Sequence, residues 1–227
     1  KSLEYAIESL LQRRVEGVIY GAMYHHEVTP PDALRHLPLV LANCFDSKGE
    51  APCVVPDEYR AATEITQRLI NAGHRNLLYL NLNPKIIAAQ ERSRGFYETV
   101  KANSQVKGWQ RDALVGEVGE DQSQLNQVMA DVFASENRPE CILCGKDEMA
   151  MEVYFDLVER GISPGKDIAV ASFDNLEIVA SLLKPGLSTM SLPHYRMGKW
   201  AMQYLLDGRQ DNVHERLVCE FVERSSF

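Results

Sequence analysis

Apolar positions along this chain fall into two rhythms that alternate almost from end to end. Leu3, Ile7, Leu10 and Leu11 share one helical face. Val15 to Tyr20 follows as a strand, then a polar loop holding His25, His26 and Pro30-Pro31, and a short helix over 32–36. Strands are predicted over 39–43, 53–55 and 76–80, with a helix from Asp57 to Ala72 between the last two, stopped by Gly73. A helix over 88–103, a strand over 113–115 and a helix over 125–134 come next. The run Cys141-Ile142-Leu143-Cys144 shows no alternation, the signature of a strand buried on both faces of a parallel sheet. Gly145-Lys146-Asp147 breaks it, and Asp147 can cap the helix that follows, whose apolar face carries Met149, Val153 and Leu157. Gly161 and Pro164 end that helix, and Ile168 to Phe173 is the next buried strand, closed by Asp174-Asn175. A short helix (176–183), a strand (187–192), a helix (195–206) and a closing strand (217–222) complete the pattern.

Regular alternation of strand and helix predicts an α/β fold with parallel sheets covered on both faces. In such open sheets ligands bind at the carboxyl ends of the strands. Lys146-Asp147 and Asp174-Asn175 both lie at that edge. An apolar fraction of 45% in 227 residues supports a sizeable core, and a formal charge of −8 argues against a general nucleic-acid surface. No apolar run reaches the length of a membrane span. The chain opens on Lys1-Ser2-Leu3-Glu4, without methionine and already in a helical pattern, so a fragment lacking its beginning is expected.

The sequence offers little reaction chemistry. Cys141 and Cys144 have the spacing of a metal or redox pair, but positions three apart on a strand face opposite sides, so buried thiols are expected. His25 and His26 point different ways and lack companions, which predicts no metal site. Dinucleotide and phosphate loops, nucleophile elbows and zinc-helix motifs are absent, so neither an enzyme nor a cofactor is expected. Groups suited to a polyol are present instead: Arg92 as a guanidinium donor, Asp174 and Asn43 as acceptors, Phe173 as a ring for a sugar's apolar face. Arg92 is read as an exposed guanidinium that adds recognition and little packing. Lys146 adds a positive charge, which suits an anionic ligand or, equally, a surface pairing with Asp147 or Glu148.

Several motifs in a fixed order resemble the effector-binding core of LacI/GalR-family bacterial transcription regulators. They are Arg13-Arg14-Val15-Glu16-Gly17-Val18-Ile19, Val55-Pro56-Asp57, Leu69-Ile70-Asn71-Ala72-Gly73-His74-Arg75 and Arg92-Ser93-Arg94-Gly95-Phe96. Lys146 to Met151, Asp167 to Asn175, Leu187 to Met190 with Met197-Gly198, and Val222 to Ser225 complete the set. The resemblance implies a periplasmic-binding-protein type I fold of two subdomains, 1–56 with 193–212 and 57–192 with 213–227, the first strand–helix–strand of the core being absent. It also implies a small-molecule effector, a sugar or sugar derivative (anionic or phosphorylated ones included), held between the subdomains by Arg92, Asp174, Phe173, Lys146, Asp147 and Asn43. A cytoplasmic homodimer is implied, with operator DNA bound only through an absent helix-turn-helix headpiece, and no metal. A transport-type sugar-binding protein of similar fold is the alternative. Leu192, Val118 and Lys146 depart from the family's common residues at the effector site and leave the effector's identity open.

Overall fold

A computed structural model describes residues 3–112 and 123–227. In chain order its elements begin with helix α1 (Leu3–Gln12), strand β1 (Val18–Glu27), a 3-10 turn at Asp32–Leu34, β2 (Leu39–Phe45) and β3 (Cys53–Pro56). Then come α2 (Glu58–Asn71), β4 (Asn76–Asn81), α3 (Ile87–Ala102), β5 (Lys107–Asp112), α4 (Ser123–Ala134) and β6 (Cys141–Cys144). The remainder is α5 (Asp147–Glu159), β7 (Ala169–Asp174), α6 (Glu177–Ala180), β8 (Ser188–Ser191), α7 (His194–Leu206), β9 (His214–Leu217) and β10 (Glu220–Val222).

These elements form two compact units, Lys1–Asp57 with Pro193–Leu217 and Glu58–Leu192 with Val218–Phe227. The first holds a four-stranded parallel sheet ordered β1-β2-β3-β9. Val40 and Val54 of that sheet pack on Met197, Ala201 and Tyr204 of α7, and Ile7 of α1 packs with Val18 and Leu34. The second unit holds six strands ordered β10-β8-β7-β6-β4-β5, parallel except for β10 against β8.

Both faces of the larger sheet are covered, which explains its unbroken apolar runs. Leu77, Tyr79, Cys141, Leu143, Ala171 and Phe173 face α2 and α3, while Leu78, Leu80, Ile142, Cys144 and Val170 face α4 and α5. Cys141 and Cys144 thus lie on opposite faces, buried and free, as the strand's period requires. No group of three or more His, Cys, Asp or Glu side chains among the described residues is placed to hold a metal.

Three stretches differ from the sequence reading. β1 runs on to Glu27 and takes in His25 and His26, because it resumes pairing with β2 after a register shift between Gly21 and His26. β5 was not expected, since Lys107-Gly-Trp-Gln-Arg-Asp112 is a polar strand that, among the described residues, pairs only with β4. The strand expected over 113–115 lies outside the described residues, as does Val118. The expected closing strand is two strands: β9 pairs with β3 in the first unit, and β10 with β8 in the second. Residues 213–217 therefore belong to the first unit rather than the second. The polar string His214-Glu215-Arg216 hid an edge strand, while the apolar run from Leu217 to Val222 spans two sheets.

Gly95 of the Arg-x-x-Gly-Phe motif sets how closely α2 and α3 approach. A Cβ there would lie 2.5 Å from the Tyr59 carbonyl oxygen and 3.0 Å from Ala62 Cβ. Gly95→Ala is expected to cost about 1–3 kcal/mol through overpacking against backbone that cannot yield. Gly198, inside α7, has nothing within 4 Å of such a Cβ, so Gly198→Ala should gain roughly 0.5–1 kcal/mol from helix propensity. Urea unfolding of both variants checks the pair; equal shifts of one sign would refute the packing account.

Candidate functional site

The carboxyl edge of the six-stranded sheet gathers the polar groups of the second unit. Arg92 reaches it from α3. Its side chain is buried, and its Nε donates to Glu58 Oε2 at 2.7 Å while Nη1 donates to the Gly145 carbonyl at 2.6 Å. The guanidinium carbon stands 4.3 Å over the Phe173 ring centroid, and Nη2 is 4.0 Å from Asp174 Oδ1. Two of five N–H donors are thus spent on the protein, and the guanidinium's free edge points toward Asp174. Burial pulls the Arg92 pKa down, but the Glu58 and Asp174 carboxylates outweigh it and hold the group above its ordinary value. An unpaired charge here would be costly, so Glu58 is part of the site although nothing in the sequence marked it.

Asp174 ends β7 opposite Ser191 of β8, with its side chain 28% exposed. Burial pushes its carboxyl up to about 7; Arg92 opposes this, and Asp147, Glu148 and Glu58 add to it. Its φ of 112° and that of Asn175, 56°, place two successive non-glycine residues in the left-handed region. Each such residue costs on the order of 1–3 kcal/mol unless its surroundings over-determine it. Here they do. Asn175 Oδ1 accepts from Arg224 Nη2 at 2.8 Å, and the Leu176 N–H donates to Asp147 Oδ2 at 2.6 Å.

Asp147 is not the cap of its own helix; it is the first helical residue of α5, after Lys146. Fully buried, it accepts from Ser172 Oγ, from Thr189 Oγ1 at 2.8 Å and from the Leu176 amide. Burial raises its pKa, and these three hydrogen bonds work against the rise. Its oxygens serve β7, β8 and the start of α6, so it builds the turn that presents Asp174.

The other expected residues stand differently. Arg92 is core, not exposed, because one carboxylate and one carbonyl satisfy it inside the protein. Phe173 is 0% exposed and lies beneath Arg92, so its ring supports the guanidinium rather than presenting a face at the edge. Lys146 is half-buried at the amino end of α5 and lowers the Glu152 pKa against the rise that burial causes there. Asn43 belongs to the first unit, at the carboxyl end of β2, with φ 59° and its amide nitrogen donating to Ala22 O at 3.1 Å. Arg92, Phe173, Lys146, Asp147 and Asp174 all lie in the second unit; Asn43 does not.

The family model for periplasmic binding proteins and the sugar binding domain of the LacI family matches residues 1–221. The sucrose operon repressor of Escherichia coli is 30% identical over 223 residues, 97% of this chain and 67% of that protein. The HTH-type transcriptional repressor PurR of Vibrio parahaemolyticus is 28% identical, over 94% of this chain and 64% of its own length. The chain thus spans about two-thirds of these relatives. A solved structure from Rhizobium etli, described as a transcriptional regulator of the LacI family, superposes with a TM-score of 0.86 at 28% identity, covering 98% of this chain and 82% of that one.

Two outcomes follow from the geometry. Arg92→Ala should lose roughly 3–5 kcal/mol of stability by stranding the buried Glu58 carboxylate, and Arg92→Met combined with Glu58→Gln should recover much of it. Denaturant titration decides; a stable Arg92→Ala would refute the pairing. The raised pKa of Asp174 means the fold binds its proton more tightly than the unfolded chain does. That contribution is full below about pH 4 and is lost as pH rises through about 7. Asp174→Asn lacks this loss, so its melting temperature should gain on the wild type between pH 5 and pH 8. A gap that does not vary with pH would contradict the shift.

Proposed function

The chain belongs to the family of periplasmic binding proteins and LacI-type sugar-binding domains, and we propose that it is the sensing core of a sugar-responsive transcriptional repressor. One observation carries the reading. Arg92 Nη2 and Asp174 Oδ1 stand 4.0 Å apart, too far for a hydrogen bond, with a donor on one side and an acceptor on the other. A hydroxyl fits that gap, since it accepts from the guanidinium and donates to the carboxylate. Vicinal hydroxyls of a sugar supply such groups in pairs.

The ligand favoured by the charges is neutral. The Arg92 charge is met by Glu58, and Lys146 faces the Glu152 carboxylate, so little positive charge remains for a phosphate. Binding shifts the balance between two states of the core without turning the sugar over; only a difference in affinity for the two can alter operator binding. With a formal charge of −8, these 227 residues sense rather than grip DNA, which is left to a headpiece outside them. A homodimer suits the exposed apolar side chains on α5 (Phe155, Val158) and around α6 (Ile178, Leu182). Among the described residues no helix is long and apolar enough to cross a membrane, and a cytoplasmic setting fits a repressor. The repressor relatives favour this reading over transport.

A thermal-shift screen of sucrose, fructose, glucose and ribose beside their phosphates tests it. A neutral sugar at about a hundred times its Kd should stabilise the protein by roughly 2.7 kcal/mol. Asp174→Ala should weaken that sugar by about 1.5–3 kcal/mol, and Asp174→Asn by less. Response to the phosphates alone would refute the neutral class, and no response at all would refute sugar sensing.

A further inference from the structure

The chain passes between its two units three times; the first two passages adjoin residues of the Arg92–Asp174 cluster, and the third leads through β10 to Arg224. It enters the second unit after Asp57, and the next residue is Glu58, the buried carboxylate that accepts from Arg92 Nε at 2.7 Å. It leaves after Leu192, next to Ser191, which pairs with Asp174 on one side and Glu220 on the other. It returns at Val218 and runs through β10 to Arg224. The Arg224 fork donates to two acceptors, Asn175 Oδ1 at 2.8 Å and the Leu187 carbonyl at 2.7 Å. The first and third passages run side by side: Pro56 pairs with Leu217, whose carbonyl accepts from the Asp57 N–H at 2.8 Å.

We propose that Glu58 and Arg224 are positioning residues that hold the two halves of the effector cluster, Glu58 setting the Arg92 guanidinium and Arg224 the Asp174–Asn175 turn. The proposal rests on reading that cluster as the effector site. Arginine has a long, rotamer-rich side chain, and the buried Glu58 carboxylate orients its plane together with the Gly145 carbonyl and the Phe173 ring. The Asp174–Asn175 turn adopts a backbone that L-residues disfavour, and three side chains pin it. Asp147 of α5 accepts from the Leu176 N–H, Thr189 of β8 accepts from the Asn175 N–H at 3.4 Å, and Arg224, beyond β10, donates to Asn175 Oδ1.

The test needs no ligand. In Arg224→Ala, amide exchange at Asn175 and Leu176 should quicken about tenfold or more, while the core amides of Leu78 and Val153 change by about twofold or less. Arg224→Lys, able to serve one acceptor but not both, should fall between. In Glu58→Gln, carbon-13 titration of the Asp174 carboxyl should show its pKa below about 7, because a raising carboxylate is gone and Arg92 has lost its competing partner. Uniform exchange changes, an unmoved Asp174 titration, or failure of both the Glu58→Gln and Arg224→Ala proteins to fold would each overturn the proposal. A barren sugar screen alongside the expected exchange and titration results would instead overturn the sugar reading and leave these clamps standing.

Discussion

A guanidinium with almost no contact with water organises the second unit. Arg92 is 2% exposed, and its partner Glu58 likewise. Desolvating two such ions costs several kcal/mol each, and a close ion pair repays this only when further hydrogen bonds satisfy the remaining groups. The Gly145 carbonyl takes one further N–H and the Phe173 ring covers the guanidinium plane. Elements far apart in the chain therefore agree on one point: α2 through Glu58, α3 through Arg92, the end of β6 through Gly145, and β7 through Phe173. The pair contributes less to net stability than to a single arrangement of these four.

Behind that point lies a second buried polar group that performs another task. Asp147 spends its oxygens on Ser172, Thr189 and the Leu176 amide, so it faces the protein and not the edge. Its value is the turn it closes, in which Asp174 and Asn175 hold positive φ. On the proposed reading, groups that would meet a ligand here are few; groups that aim them are many. Glu58, Asp147, Phe173 and Arg224 all belong to the second kind.

Much of this was legible in the sequence because it follows from period and spacing. The unbroken run at Cys141–Cys144, the glycine stop at Gly161 and the polar residues closing β7 each have a local physical cause, and the ordered motifs gave the family. What was not legible depends on long-range pairing. Arg92 looks the same in sequence whether solvated or paired, and its fate is decided by Glu58 from another helix. Phe173 was known to end a buried strand, but only the position of Arg92 shows which surface its ring meets. β9 escaped because an edge strand needs no apolar alternation, and the boundary of the first unit moved with it.

Geometry and ionisation at the edge have a common origin. A lone Arg92 beside Asp174 would hold that carboxyl low, as an adjacent guanidinium ordinarily does. Glu58 takes up Arg92 at 2.7 Å and leaves Asp174 at 4.0 Å, so burial and the neighbouring carboxylates prevail and the Asp174 pKa rises to about 7. A carboxyl in that range is acceptor only when ionised, and donor as well as acceptor when protonated. The pairing that buries the guanidinium thus also decides what kind of hydrogen-bonding partner Asp174 offers. A sugar hydroxyl, itself both donor and acceptor, can meet either form, whereas an anion would find one form repulsive. The bias toward a neutral polyol that we propose rests on Glu58 as much as on the residues that would touch it.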